Sequence, residues 1–296
     1  MTAIDVDEVL VGAVDLHSHS GPSPMPRRIT HAQAAQQAAE VGFRAIVAKC
    51  HYHDTVTDVL SMAPLLEGVT TELFGGIALN SVNGGLNPWA VDRSLKMGGK
   101  VVWFPTISAR AHLEHAAEHE ETQRHFQPLG MMQSAEVSVF EPDGSLRPEV
   151  ATIIDLAKES RALISTGHLD GTSAMAVIEA AARAGHDQVI VSHPNYVTGI
   201  DQEQAARMVE KGAYIEHEIA MYHLDKIYPL DVLIDWIQAI GPEHTVLGSD
   251  LGQVGNPLPV EGYRGVVERL LDAGLSVHDV QLMIRDNPAR LIGLGE

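Results

Sequence analysis

The sequence predicts an α/β protein folded as a (β/α)8 TIM barrel, with residues 1–296 forming a single domain. Short apolar segments alternate with longer helix-like segments along the chain, which is typical of parallel strands joined by helices. Several apolar segments are nearly continuous in Val, Ile, Leu and Ala, as expected of strands buried on both faces. The length of 296 residues is usual for one such barrel.

Each predicted strand is followed by helical sequence. The predicted strands are residues 11–17, 44–51, 73–79, 100–107, 162–167, 188–193, 213–219 and 245–249. The predicted helices are residues 30–40, 54–66, 88–97, 111–126, 148–160, 172–184, 202–211, 229–240, 261–273, 276–285 and 288–294. Residues 127–148 fit neither pattern, and we expect a hairpin insertion near the barrel mouth. A doubly wound sheet is the alternative, because alternation alone does not separate it from a barrel.

The composition restricts the partners. Thirty-nine acidic residues against 20 basic ones give a formal charge of −19, which argues against nucleic acid and anionic membranes, since both need a basic face. Cys50 is the only cysteine, so a reducing, cytoplasmic setting is expected. No apolar run approaches the ~20 residues that span a bilayer. We expect a cytoplasmic protein that acts on a small molecule, and a homo-oligomer remains open.

Two histidines at the end of the first predicted strand carry the strongest functional signal. His17 and His19 are two residues apart, so a regular strand would present both imidazoles on one side. Imidazole is a common ligand of Zn, Mn, Fe and Ni, and few other uses need two rings so close together. This pair predicts a metal site at the strand end.

Ionisable residues also end several later strands. These residues are Lys49, His51 and His53 after the second strand, His168 after the fifth, His193 after the sixth and Asp250 after the eighth. In a (β/α)8 barrel the carboxyl ends of the strands meet at one face, where catalytic residues gather. Burying such groups without partners is costly, so their recurrence favours one shared site over separate packing roles.

With these motifs the sequence resembles the amidohydrolase superfamily. The family pattern of His-x-His, two later histidines and a final aspartate maps onto His17, His19, His168, His193 and Asp250. The segment from Asn287 to Leu294 is similar to the helix that ends many of these enzymes. The resemblance covers nearly the whole chain, and its motifs specify the superfamily but no substrate.

The resemblance implies a metal-dependent hydrolase of a small-molecule amide, cyclic amide, ester or lactone. One or two divalent ions, Zn or Mn, would be held by His17, His19 and His168, and would lower the pKa of water towards ~7. Asp250 would accept the proton of that water and return it to the leaving group. His193 would be either a ligand of a second metal or a polariser of the substrate carbonyl.

The fourth strand departs from the pattern of many two-metal members, which carry a carboxylated lysine or a glutamate there. Residues 101–107 contain neither. Lys49 is a candidate for the bridging role or for a substrate contact, and His51 is a candidate ligand. Further acidic candidates are Glu136, Glu141 and Glu216.

Other functions stay open. The many histidines also suit a phosphoesterase of the polymerase-and-histidinol-phosphatase type, although the final Asp250-Leu251-Gly252 lacks the expected Asp-x-His. A non-oxidative decarboxylase or a catalytically inactive metal-binding barrel would keep the same metal site. Candidate substrate contacts are Arg27, Arg110, His53 and Tyr196.

Overall fold

The structure is a computed structural model that describes residues 5–119 and 130–295. Its strands are β1 Val14–Ser18, β2 Ala45–Ala48, β3 Glu72–Phe74, β4 Gly76–Ala78, β5 Val101–Trp103, β6 Leu163–Ser165, β7 Val189–Ser192, β8 Tyr214–Glu218 and β9 Thr245–Gly248. All hydrogen-bonded neighbours are parallel and follow chain order, as β1-β2-β3 and as β4 through β9. Only Gly75 separates β3 from β4, so these two segments correspond to the single strand predicted at 73–79.

The last strand returns to the first. The N–H of Asp250 donates to the carbonyl oxygen of His17 at 2.8 Å, and the N–H of His19 donates to the carbonyl oxygen of Leu251 at 2.8 Å. Because β3 and β4 act as one broken strand, the order is that of an eight-stranded ring. The (β/α)8 prediction is confirmed, and the alternative of a doubly wound sheet is wrong because the strand order never reverses.

Helices alternate with the strands. They are α1 Val6–Leu10, α2 His31–Glu40, α3 Val56–Ser61, α4 Pro88–Lys96, α5 Arg110–Glu118, α6 Pro148–Ser160, α7 Gly171–Ala184, α8 Gln202–Glu210, α9 Ile219–Tyr222, α10 Leu230–Ile240, α11 Pro259–Asp272, α12 Val277–Gln281 and α13 Asn287–Leu291. Short 3-10 turns cover Ala63–Leu66, Ser81–Asn83, His223–Asp225 and Pro242–His244, and Leu282–Asp286 is a π-turn. No helix in the described ranges is both long enough and apolar enough to cross a membrane.

Local sequence signals explain the helix that follows β1. The Thr30 hydroxyl accepts a hydrogen bond from the N–H of Gln33, and the Gln33 side chain accepts one from the N–H of Thr30. This reciprocal capping box satisfies N–H groups that the first turn leaves without partners. Gly42, with φ of 78°, follows the helix end, where glycine adopts a left-handed conformation at little cost.

The segment predicted as a hairpin is described only in part, since residues 127–129 lie outside the described ranges. Phe140 and Leu146 form an antiparallel bridge around a turn. The N–H of Val137 donates to the carbonyl oxygen of Ser108, which places this segment against the loop after β5. A hairpin over the whole of 127–148 stays a prediction. Residues 120–126 of the predicted fourth helix are also outside the described part.

The barrel interior is apolar at one end. Val14, Val47 and Val246 belong to a buried cluster to which strands all around the ring contribute. Ala289, Leu291 and Ile292 from the C-terminal helix join this cluster and close that end of the barrel. Two larger apolar clusters lie between the strands and the helices. The polar side chains therefore concentrate at the opposite, carboxyl ends of the strands, where function is expected.

Candidate metal centre

Five histidines surround the mouth of the barrel and form what we call the imidazole circle. Its members are His17, His19, His51, His168 and His193. Neighbouring ring centroids are 5.3 Å apart for 17–19, 4.9 Å for 19–51, 5.9 Å for 51–168, 4.9 Å for 168–193 and 5.3 Å for 193–17. All except His51, which is partly buried, are buried. The strand ends thus bring together histidines that are up to 176 positions apart in a sequence of 296 residues.

His17, His19 and Asp250 form the first set of potential ligands, which we call the Asp250 group. Their donor atoms lie within 4.8 Å of one another. Oδ1 of Asp250 is 3.0 Å from Nε2 of His19 and 3.6 Å from Nε2 of His17. The Asp250 side chain keeps 13 % of its surface exposed, so this carboxylate faces both the imidazoles and the open mouth.

His17, His193 and Glu218 form a second set, the Glu218 group, whose donor atoms also lie within 4.8 Å of one another. Oε2 of Glu218 is 3.2 Å from Nδ1 of His193, and Oε1 accepts the backbone N–H of His193 at 3.0 Å. Glu218 is 2 % exposed. The carboxylate of this group is therefore fully enclosed and already bound to its histidine.

Glu216 orients the histidine that the two groups share. Nδ1 of His17 donates to Oε2 of Glu216 at 3.2 Å, and the Ser192 hydroxyl donates to the same oxygen at 2.5 Å. Glu216 and Glu218 are two residues apart on β8, so both side chains point into the barrel. A carboxylate on one nitrogen of a histidine fixes its tautomer and leaves the other nitrogen as a lone-pair donor. In His17 that donor is Nε2, which faces Asp250.

Lys49 already uses this lone pair. Its ammonium donates to Nε2 of His17 at 2.7 Å, and the side chain is fully buried. Burial lowers the pKa of Lys49, whereas the carboxylates of Asp250, Glu216 and Glu218 act in the opposite direction. Three carboxylates thus act on the buried ammonium of Lys49, and a divalent cation would add positive charge beside them. Whether Lys49 bridges metals or contacts substrate stays a prediction.

Burial keeps most of the imidazole circle neutral. Burial, followed by the charge of Lys49, lowers the pKa of His17 to about 3. Burial also holds the pKa values of His19 and His168 well below the usual 6.5. His193 differs: burial is the largest single influence and lowers its pKa, but the charge and hydrogen bond of Glu218, together with the charge of Asp250, raise it more, so the net pKa is raised. Neutral imidazoles can bind a metal, whereas a protonated His193 would donate hydrogen bonds.

His168 belongs to neither the Asp250 group nor the Glu218 group. Its role as a metal ligand stays a prediction. Its Nδ1 is 2.9 Å from Nδ1 of His112, and the two rings are stacked. Its Nε2 is buried and has no hydrogen-bond partner among the described residues. His112 lies on α5, and its partly buried ring packs on that of His168.

The backbone around the site departs from regular geometry. His193 and Asp250 have φ values of 53° and 49°, a left-handed conformation that non-glycine residues adopt at a cost. The register of the pairing between β1 and β2 shifts between Asp15 and Ser18. The regular alternation of side chains between the two faces of β1 is therefore interrupted just before His19. The Asp15 carboxylate accepts the N–H groups of His17 at 3.0 Å and Ser249 at 2.9 Å, and thereby ties the first strand to the last.

The donor set suits a divalent metal. Imidazole nitrogens with carboxylate oxygens are typical ligands of Zn, and Mn accepts the same types. Nδ1 of His19 and Nε2 of His168 are buried without hydrogen-bond partners in the described part of the chain. Such atoms are costly to leave unpaired, which supports a missing ligand at the mouth.

The predicted substrate contacts divide between the mouth and its surroundings. Tyr196 lies at the mouth, with its ring 6.5 Å from that of His193. His53 is turned away and contacts the carboxylate of Asp58 at 2.7 Å. Arg110 is 65 % exposed and forms an ion pair with Glu136 at 2.9 Å, which favours a structural role for both. Nε and Nη2 of Arg27 are buried and have no hydrogen-bond partner in the described part of the chain.

The other acidic candidates differ in position. Glu216 is in the site, whereas Glu141 is 3.9 Å from Arg147 in the loop before α6. His51 belongs to the imidazole circle and its Nδ1 is 2.8 Å from the Thr106 hydroxyl. Sequence reasoning missed Glu218 and Asp15. The i, i+2 spacing of Glu216 and Glu218 was an available signal for Glu218, and nothing local marked Asp15.

Solved structures share this fold at low sequence identity. An amidohydrolase from Pseudomonas aeruginosa has a TM-score of 0.64 at 12 % identity, covering 98 % of this chain and 98 % of that chain. A phosphotriesterase homology protein from Escherichia coli has a TM-score of 0.55 at 15 % identity, covering 95 % and 99 %. A 2,6-dihydroxybenzoate decarboxylase from Rhizobium has a TM-score of 0.53 at 11 % identity, covering 96 % and 99 %. The resemblance to the amidohydrolase superfamily is confirmed for the fold.

No curated protein matches the sequence. A family model described as a family of unknown function, DUF6282, matches residues 12–216, which is more than half of the chain. The matched region extends from just before β1 to Glu216, and includes all five histidines of the imidazole circle. This chain is therefore a member of the DUF6282 family, folded as an amidohydrolase-type barrel.

Proposed function

We propose that this protein is a metal-dependent hydrolase of a small-molecule amide, cyclic amide, ester or lactone. The observation that carries the proposal is the position of Asp250. Its carboxylate lies 3.0 Å from His19 and 3.6 Å from His17, and it alone in the Asp250 group is open to the mouth. A carboxylate beside potential metal ligands and accessible to substrate suits proton transfer.

His17, His19 and Asp250 would hold the cation, for which Zn and Mn are the candidates. A divalent cation, when bound, makes water more acidic and polarises a carbonyl oxygen. The protein contributes the orientation of these ligands, since Glu216 holds the ring of His17 and the backbone N–H of Asp250 bonds to His17. Whether one or two ions bind depends on the Glu218 group.

Asp250 would act as the proton shuttle. We propose that it accepts a proton from the attacking water and returns it to the leaving group. The only side chain within hydrogen-bonding reach of its Oδ1 besides the histidines is Gln253, at 3.5 Å, among the residues that the structure describes. This carboxylate is therefore free to change partners during a reaction.

His193 would polarise the substrate. Glu218 raises its pKa and contacts Nδ1, so the protonated ring has a second N–H that can donate to a substrate oxygen. The other role, as a ligand in the Glu218 group, requires a neutral ring, and the two roles are therefore exclusive at any moment.

Metal removal and reconstitution tests the proposal. The protein is purified, its metal content measured by elemental analysis, and its hydrolysis of amides, cyclic amides, esters and lactones assayed before and after chelation. We expect activity to disappear with the metal and to return with Zn or Mn, and His17→Ala to bind no metal. His278→Gln, at an exposed position of α12, is the matched control.

Activity that persists in the chelated protein, or full metal binding by His17→Ala, would contradict the proposal. The products distinguish the alternative reactions: release of carbon dioxide indicates a decarboxylase, and release of phosphate indicates a phosphoesterase. Stoichiometric metal without turnover on any compound of the panel would favour an inactive metal-binding barrel.

A further inference from the structure

The loop between β1 and α2 carries an arginine with unused donors. Nε and Nη2 of Arg27 are buried and have no hydrogen-bond partner among the described residues. Leaving buried guanidinium donors unpaired costs free energy, and an ion pair or a ligand is the usual solution. The chain has 39 acidic residues against 20 basic ones, so a lack of available carboxylates does not explain the missing partner.

The loop holds Arg27 beside the candidate metal centre. The backbone of Arg27 bridges to Gln253, and the N–H of Arg28 donates to the carbonyl oxygen of Gly252 at 2.9 Å. Residues 252 and 253 lie two and three positions after Asp250, so the loop that carries Arg27 is hydrogen-bonded to the segment that carries the proposed proton shuttle. The charge of Arg27 also lowers the pKa of His19, second only to burial. The charge of Arg27 therefore lies near His19 and Asp250, with the Cys50 and Tyr52 side chains also close to it.

Other arginines of this chain show what the unused edge of Arg27 binds. Nε and Nη2 of Arg264 donate to the two oxygens of Asp7 at 2.6 and 2.8 Å. The same two atoms of Arg285 donate to the two oxygens of Asp286 at 2.8 and 3.2 Å. This edge of a guanidinium matches the spacing of carboxylate oxygens, which makes the paired contact strong and directional.

We infer that Arg27 is a specificity-determining residue that binds a carboxylate group of the substrate through Nε and Nη2. This inference rests on the proposed function, and it narrows the substrate to an amide, ester or lactone that also carries a carboxylate. The carboxylate lies on the Arg27 side of the mouth, next to Asp250, while the bond to be cleaved lies over the Asp250 group. A phosphate would be served less well, because the buried ammonium of Lys49 is already bound to His17.

Binding of simple probes tests this inference without a known substrate. Calorimetry measures the affinity of benzoate, of the uncharged analogue benzamide and of inorganic phosphate, for both metal-free and Mn-loaded protein. We expect benzoate to bind, and Arg27→Gln to weaken it roughly 10- to 100-fold, the range for a lost charge-assisted pair. Arg27→Lys should recover only part of the loss, because an ammonium lacks the planar pair of donors.

Arg28→Gln is the matched control, because the Arg28 side chain is exposed and donates to the carbonyl oxygen of Asn256. It should bind benzoate like the unaltered protein. Circular dichroism and thermal unfolding check that each variant is folded, and Arg27→Lys keeps the test valid where Arg27→Gln is unstable.

Three results would overturn the inference. Arg27→Gln could bind benzoate as tightly as the unaltered protein does, or the unaltered protein could bind benzamide as tightly as benzoate. The third is phosphate binding that depends on Arg27 and is tighter than benzoate binding. Metal content separates this outcome from failure of the proposed function. Arg27→Gln that binds metal normally but keeps its benzoate affinity refutes only the carboxylate site. If the unaltered protein binds no metal and Arg27→Gln still weakens benzoate binding, only the proposal of a metal-dependent hydrolase is refuted.

Discussion

The two groups that share His17 differ in what their carboxylates can still do. Asp250 is partly exposed, and its Oδ1 faces two imidazole nitrogens and the mouth. Glu218 is enclosed, accepts the backbone N–H of His193 and lies 3.2 Å from Nδ1 of its ring. A carboxylate that is fully bound fixes its partner, whereas one with an open side can exchange protons with a substrate. The Asp250 group is thus suited to reaction and the Glu218 group to positioning.

Asp250→Asn tests the reactive side and should have the largest effect. The amide keeps the shape of the carboxylate but cannot accept a proton, so we expect kcat to fall roughly 10²- to 10⁴-fold. Steady-state kinetics on the best compound of the panel measures the loss, and elemental analysis measures the retained metal. Asp7→Asn, in the exposed ion pair with Arg264, is the control. A near-normal kcat would remove Asp250 from the mechanism.

Glu218→Gln tests the positioning side and should have an intermediate effect. Removing this carboxylate leaves burial as the main influence, so the pKa of His193 should fall. We expect roughly a 10- to 100-fold loss of activity, the range for a group that orients a site residue. Proton NMR of the His193 ring in metal-free protein follows the pKa, with Glu210→Gln as an exposed control. An unchanged pKa with unchanged activity would contradict the division between the groups.

The pH dependence of stability tests the surroundings that both groups share. Burial lowers the pKa of His31, which contacts the Ser20 hydroxyl at 2.6 Å, from 6.5 to about 4. The unfolded chain therefore takes up a proton first, so stability is complete above pH 6.5 and is lost as pH falls towards 4. The contribution of this histidine is about 3 kcal/mol at most.

His31→Gln should flatten this dependence, and urea unfolding of metal-free protein between pH 4 and 7 measures it. The slopes with pH are compared, since the substitution also changes the bond to Ser20. Other buried histidines, such as His217 with its pKa near 3, keep part of the slope. The exposed variant His278→Gln should leave the slope as it is, and an identical slope in His31→Gln would show that folding does not shift the pKa of His31.

The sequence predicted the fold well because its signals are local and repeated. Apolar runs place all the strands, and glycine, proline and capping residues place most helix ends within a few positions. The run at 73–79 was predicted as one strand although it contains the turn signal Gly75-Gly76, and the structure breaks it at Gly75. An added Cβ there would lie 2.7 Å from the backbone nitrogen of Val56, so the break reflects contact with a distant segment.

The site was predicted less completely, because its geometry depends on contacts between strands. The histidines were found through their positions at strand ends. The roles of Asp15 and Glu218 were not found, because they depend on the register shift in β1 and on the pairing of β7 with β8. Arg27 and Arg28 are adjacent and cannot be distinguished in the sequence. In the structure Arg27 has buried donors without a partner among the described residues, whereas the exposed Arg28 donates to the carbonyl oxygen of Asn256. Such differences appear only after folding.

Anomalous diffraction from crystals of the Mn-loaded protein would show directly whether a metal binds to the Asp250 group. We expect an anomalous peak within bonding distance of Nε2 of His17, Nε2 of His19 and Oδ1 of Asp250. In that state the ammonium of Lys49 no longer donates to Nε2 of His17. A peak bound only by His193 and Glu218, or no peak at the barrel mouth in crystals that contain manganese, would contradict it.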